Sequence, residues 1–297
     1  MPALDDRCPF CPGNERMLPS IIMETPGQGQ GNVDWQVRVV PNKFPALTPG
    51  VDQARLKEGI YLSMPGYGRH EVIIESPFHN RDLVIMSREE VETLVEVYHR
   101  RYVKLMREKQ NMMVVIFRNH GPRAGTSLVH PHSQLIATGL VPGHVRLRER
   151  EAERYFDETG RCVYCDILEF EGLDRRRVIL ENRSFLAFVP YAAEVPFEIW
   201  IVPRKHRAGF GAVPGDEKID LAHALQEILA KLHARLDDPD YNYVINSWAR
   251  YKADEPHLHW YLQVRPRLTT TAGFEIATGI RINPSLPEQD ADYLKGR

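Results

Sequence analysis

Short β-branched runs alternate along the chain with longer stretches of mixed charge, and the alternation occurs twice in the same order. Glu71-Val-Ile-Ile-Glu75 and Glu198-Ile-Trp-Ile-Val202 read as strands, each followed closely by a histidine, His79 or His206. Mixed-charge segments with apolar residues at helical spacing then predict helices near Arg88–Glu108 and Asp216–Leu236. Met113–Arg118 and Gln134–Ala137 in one half, and Tyr243–Asn246 and His259–Val264 in the other, predict further strands. Val145–Thr159, dense in Arg and Glu, predicts an exposed helix joining the halves. The pattern therefore predicts an α+β fold of two similar halves, residues 1–144 and 145–297, each an antiparallel sheet flanked by helices.

The duplication also holds residue by residue. The differences 198 − 71, 206 − 79, 257 − 130 and 259 − 132 all equal 127, whereas the cysteine pairs are offset by 162 − 8 = 154. The first half thus carries extra residues, which the Gly- and Pro-rich stretches Gln28–Asn32 and Pro45–Gly68 accommodate as loops.

Composition narrows the partners. Of 297 residues, 38 are Lys or Arg and 40 Asp or Glu; this near balance gives no general affinity for nucleic acid or anionic membrane, so an anionic ligand has to be held locally. No apolar stretch approaches a membrane span and Met1–Asp6 has no leader pattern, from which a cytoplasmic location is expected. Trp35, Trp200, Trp248 and Trp260 are expected to serve as core or groove packing.

All four cysteines lie in two Cys-x-x-Cys pairs, a spacing that lets two thiolates converge on one tetrahedral zinc ion. With the spaced histidines, the expected sets are Cys8, Cys11, His79 and His130, and Cys162, Cys165, His206 and His257, for two zinc ions per chain. Pairs of buried thiols with unrelated histidines remain the plain alternative; no thioredoxin-like βαβ pattern supports a redox role.

The densest chemistry runs from Arg118 to Gln134. Gly121, Gly125, Thr126 and Ser127 form a small-residue loop whose N–H groups and hydroxyls can approach phosphate. In a strand starting at His130, residues 130, 132 and 134 share one face. His130 can then sit on metal while His132 attacks phosphorus and Gln134 donates to a phosphate oxygen; Ser133 points away. On the residues alone, a third metal ligand or a core histidine stays open for His132. His259, followed by Trp260, reads as a relic of duplication or a supporting residue.

From Cys8-Pro-Phe-Cys-Pro-Gly-Asn-Glu to Asn283-Pro-Ser-Leu-Pro-Glu, and above all in His130-Pro-His-Ser-Gln134, the chain resembles the galactose-1-phosphate uridylyltransferase family of the histidine triad superfamily. The resemblance implies a duplicated histidine triad fold, a homodimer, and ping-pong transfer through a nucleotidyl-His132. It also implies nucleotide contacts by Asn119 and Ser127 and hexose contacts by Glu275. Three features depart from the uridylyltransferase pattern. Ser133 stands where glycine is usual, the chain opens at the first Cys-x-x-Cys without an arginine-bearing segment before it, and the second half has a full Cys-Cys-His-His set. The last resembles the related ADP-glucose phosphorylases. The expected activity is transfer of UMP from UDP-glucose to galactose 1-phosphate, with AMP transfer from ADP-glucose to phosphate as the alternative. A nucleotide hydrolase and a non-catalytic zinc scaffold are the remaining readings.

Overall fold

The computed structural model describes residues 2–27, 33–52 and 54–296. In chain order the strands and helices are β1 (Met23–Pro26), β2 (Trp35–Pro41), β3 (Leu56–Glu58), β4 (Tyr61–Ser63), β5 (Gly68–Ile74), α1 (Arg88–Met106), β6 (Met113–His120) and β7 (His132–Thr138). The second half follows with α2 (Gly143–Thr159), α3 (Val163–Asp174), β8 (Val178–Glu181), β9 (Phe185–Phe188), β10 (Ile199–Pro203), α4 (Gly215–Leu236), β11 (Tyr241–Asn246), β12 (Tyr261–Pro266), α5 (Gly273–Thr278) and α6 (Pro287–Lys295).

Ten strands form one antiparallel sheet in the order β1-β2-β5-β7-β6-β11-β12-β10-β9-β8. The order is a palindrome of the two halves. At its centre Phe117 pairs with Val244, and 244 − 117 = 127, so a pseudo-twofold axis passes between β6 and β11. The duplicated α+β plan is thus fused edge to edge, which leaves neither half with an open inner edge.

Inward-facing residues of the central strands, Val114, Ile116, Leu135, Tyr243, Ile245 and Leu262, pack against α1 and α4 in the main core. Ser87 starts α1 with a capping box, its hydroxyl accepting from Glu90 N–H while Glu90 accepts from Ser87 N–H. The opposite face is covered over the second half by a second core that draws on α2 and α3. Over the first half it carries Phe10, Trp35, Val72 and Ile74 around the first cysteine pair.

The expected helices and central strands are present with ends shifted by a few residues, and the joining helix is α2. Within Pro45–Gly68, expected as loop, the structure places the exposed hairpin β3–β4. The Gln28–Asn32 expectation lies outside the described residues. No helix among the described residues is long and apolar enough to cross a membrane.

Candidate active site

Sγ of Cys8 and of Cys11 each lie 3.6 Å from His130 Nδ1, and Cys11 Sγ lies 3.6 Å from His79 Nδ1. Two ligands at 2.0–2.3 Å from a tetrahedral zinc would be about 3.6 Å apart, so this donor set fits the ion. His130 Nε2 lies 2.8 Å from the Ser76 carbonyl, which fixes Nδ1 as the ring atom offered to metal. Burial pushes His130 down to about 4, so the ring is neutral and able to ligate.

The second cluster is Cys162, Cys165, His206 and His259. His259 stands there in place of the expected His257, and the sheet register shows why. His130 Nε2 bonds the carbonyl of residue 76 and His259 Nε2 that of residue 203, equivalent positions since 203 − 76 = 127. The histidines, however, are 259 − 130 = 129 apart. Gln134 pairs with Phe117 and Gln263 with Val244, which confirms the same two-residue step, 263 − 134 = 129. His257 instead sits buried beside Phe156, its Nδ1 3.8 Å from Glu255. By the corrected alignment Tyr261 occupies the position of His132, and its hydroxyl accepts from Arg148 at 2.7 Å.

His132 is 7% exposed and opens β7. Its Nδ1 lies 2.8 Å from the His130 carbonyl, which can only accept. Nδ1 therefore carries the proton and Nε2 a free lone pair. Burial lowers the affinity of the ring for a second proton, offset in part by that carbonyl bond. Phe10, between the two metal-site cysteines, packs edge-on against the ring with centroids 5.3 Å apart.

A cavity of 430 Å³ reaches His132, within the roughly 300–1,000 Å³ typical of small-ligand sites. His79, His130, Asn119, Thr126 and Ser127 line it as well. The loop between β6 and β7 is tied back on itself, Thr126 Oγ1 donating to the Asn119 carbonyl and Gly125 N–H to that of Pro122. Gly125, Gln134 and Glu275 are not among the lining residues. Gln134 lies two residues along β7 on the face of His132, whereas Glu275 accepts from Ala272 N–H at 2.8 Å at the start of α5.

Behind β7 lies a buried polar network without a role in the sequence reading. Ser133 points away from His132, as strand alternation requires, and donates to Glu75. Arg118 Nε donates to both Glu75 oxygens at 3.0 and 3.1 Å, NH1 to Tyr241 Oη at 2.6 Å and NH2 to Asp82 at 2.8 Å. Burial acts to raise Asp82, but Arg118 and His120 outweigh it and hold the carboxyl well below its usual range. At Glu75 burial wins and the carboxyl is raised against the pull of Arg118 and Ser133. The available signal was parity: Arg118 sits at the inward-facing phase of Val114 and Ile116.

Gly121, where β6 runs into the loop, has φ +83° and ψ 162°, a region only glycine enters freely. A Cβ there would lie 2.0 Å from Asp240 Oδ1, whose carboxylate also accepts from Arg123 N–H. Gly121→Ala is expected to cost about 2–4 kcal/mol. Urea unfolding measures it; a loss below 1 kcal/mol would mean that the loop accommodates the methyl.

Comparison with known proteins accounts for nearly the whole chain. The family model "galactose-1-phosphate uridyl transferase, N-terminal domain" matches residues 1–142 and the C-terminal domain model residues 148–294. An ADP-glucose phosphorylase of Arabidopsis thaliana is 34% identical over 97% of this chain and 81% of its own. A galactose-1-phosphate uridylyltransferase of Thermotoga maritima is 28% identical over 97% and 88%. Among solved structures, an Arabidopsis ADP-glucose phosphorylase with bound ADP-glucose superposes with TM-score 0.87 at 33% identity, covering 99% of this chain and 91% of that one. A uridylyltransferase superposes at 0.84 with 27% identity, covering 98% and 91%. With both family models matched and the duplicated sheet on which they lie described, the chain belongs to the galactose-1-phosphate uridyl transferase family of nucleotidyltransferases.

Proposed function

We propose that the protein transfers a nucleoside monophosphate from a nucleotide sugar to a phosphate-bearing acceptor by way of a covalent nucleotidyl-His132. The observation that carries the reading is the Nδ1–H bond of His132 to the His130 carbonyl, which leaves Nε2 as a nucleophile at neutral pH. In the first step Nε2 forms a bond to the α-phosphorus, the bond from phosphorus to the bridging oxygen breaks, and the sugar 1-phosphate leaves with the electron pair. In the second step an acceptor phosphate oxygen displaces Nε2 and restores the neutral ring. Both steps build negative charge on the non-bridging oxygens. Donors for that charge are the Gln134 amide and the Ser127 hydroxyl, with Asn119 beside them; Gly125 and Thr126, whose N–H and hydroxyl are bonded within the loop, shape the wall that meets the phosphates. Glu275 takes the sugar hydroxyls in this scheme. Zinc at Cys8, Cys11, His79 and His130 holds the strand that carries His132, and zinc at Cys162, Cys165, His206 and His259 braces the second half. The working form is a cytoplasmic homodimer in galactose metabolism.

The first reading of the substrates is UDP-glucose with galactose 1-phosphate, the reaction that names the family. The 34% identity to a plant ADP-glucose phosphorylase favours a second, ADP-glucose with inorganic phosphate. The complete second cysteine and histidine cluster and Ser133 lean the same way. Intact mass after incubation with each nucleotide sugar separates them. A UMP-sized adduct supports the first reading and an AMP-sized adduct the second; no adduct from either, on folded zinc-loaded protein, would overturn the covalent mechanism.

A further inference from the structure

Gln134 pairs across the sheet with Val72, and two residues before Val72 stands His70 on β5. The N–H of Ala46 donates to His70 Nδ1 at 3.1 Å. A ring nitrogen that accepts has no proton, so the proton of the neutral imidazole is on Nε2. Nε2 lies 2.7 Å from Gln134 Oε1 and 3.1 Å from Asn42 Nδ2. Asn42 Oδ1 already accepts from Phe44 N–H at 2.8 Å, so Asn42 offers the ring no acceptor; its Nδ2 only approaches Nε2, and the acceptor of the Nε2 proton is Gln134 Oε1. The amide of Gln134 is thereby fixed with its oxygen on His70, and among the described residues its NH₂ has no partner.

The second half provides the internal contrast. Gln263, the counterpart of Gln134, pairs with Trp200, and two residues before Trp200 stands Glu198. Gln263 Nε2 donates to Glu198 Oε1 at 2.7 Å, and Asn246 Nδ2 donates to Gln263 Oε1 at 3.2 Å. Here the amide is turned the other way and its donor is spent on a carboxylate. One residue, His70 or Glu198, thus decides which end of the glutamine is presented, and only the first half keeps a histidine at the position of His132.

We propose that His70 is a positioning residue for nucleotidyl transfer: by donating from Nε2 to Gln134 Oε1 it aims the Gln134 NH₂ at a non-bridging phosphate oxygen of the nucleotide sugar. The inference rests on the role given to Gln134 above. It is tested by single-turnover formation of the His132 adduct across a range of concentrations of the nucleotide sugar that loads the wild type, which separates the rate constant from apparent affinity. His70→Phe lowers the rate constant about tenfold with affinity within threefold. His70→Gln, which keeps a donor, recovers most of the rate, and His70→Glu, which copies Glu198, loses about 100-fold or more. Gln134→Ala loses about 100-fold, and His70→Phe added to it costs nothing further. Wild-type rate in His70→Phe, or the same tenfold loss in the Gln134→Ala background, overturns the inference while adduct formation keeps the function standing. A Gln134→Ala enzyme that loads at full rate overturns the role of Gln134 and that of His70 with it, and absence of any adduct on wild type overturns the function as well. Should His70→Phe not fold, the ratio of the Gln and Glu variants decides, an equal rate in both being the contrary result.

Discussion

Replacing His132 by asparagine is expected to abolish nucleotidyl transfer, with turnover falling by roughly 10⁴-fold or more and no nucleotide-sized adduct, because no other group takes over the covalent step. The fold should survive. Asparagine can donate its amide hydrogen to the His130 carbonyl that His132 Nδ1–H now occupies, and the cavity beside His132 leaves room for a shorter side chain. Its melting temperature should fall by no more than a few degrees and its metal content should match the wild type. Turnover within tenfold of wild type would show that a direct transfer, or a different nucleophile, operates. Tyr261 is the internal check on that alternative. It stands at the His132 position of the second half, and burial raises its hydroxyl, so it stays protonated and a poor nucleophile at neutral pH. An adduct in His132→Asn that disappears on adding Tyr261→Phe would move the chemistry to that half.

The duplication and the gathering of the candidate residues in the first half were legible because they rest on local spacing. Cys8-x-x-Cys11 and His130-x-His132-x-Gln134 bring thiols, imidazoles and amide together by turn and strand geometry alone, whatever surrounds them. The error over His257 has the opposite origin. A constant offset of 127 assumes no insertion between repeats, and the second half inserts two residues between β11 and β12. The pattern His-x-x-x-Gln, shared by His130/Gln134 and His259/Gln263, carried the right register in the sequence; the repeated His-x-His hid it. Arg118 and Glu75 escaped for a different reason. A buried ion pair is specified by what surrounds it, here Tyr98 on α1, Tyr241 and Tyr243 on β11 and Asp82, and Tyr241 lies 123 residues from Arg118. His70 is similar: its meaning depends on Ala46, whose N–H sets the tautomer from a segment expected only as a loop.

The same asymmetry between the halves governs what metal removal should do. Metal bound at a donor set would add stability with the logarithm of its excess over the dissociation constant, about 4 kcal/mol at a thousandfold excess. For a chain of this size that corresponds to roughly 10 °C in melting temperature for each site. A strong chelator should therefore lower the melting temperature in two steps or one broad one, and more readily at pH 5 than at pH 7, because thiols and imidazolium rings must lose a proton to ligate. Without metal, burial pushes the Cys11 thiol up to about 11, so a proton competes with metal for that sulfur. Cys11→Ser and Cys162→Ser distinguish the consequences. Both should lose one metal equivalent and about 10 °C. Only Cys11→Ser should also lose the rate of adduct formation, since His130 both belongs to the first donor set and, through its carbonyl, sets the tautomer of His132. The second cluster has Tyr261 at that place and nothing reactive to orient. Equal loss of adduct rate in both variants, measured on folded protein below either melting temperature, would show that the second cluster reaches the active site through the shared sheet; unchanged melting in both would mean that neither cluster holds metal.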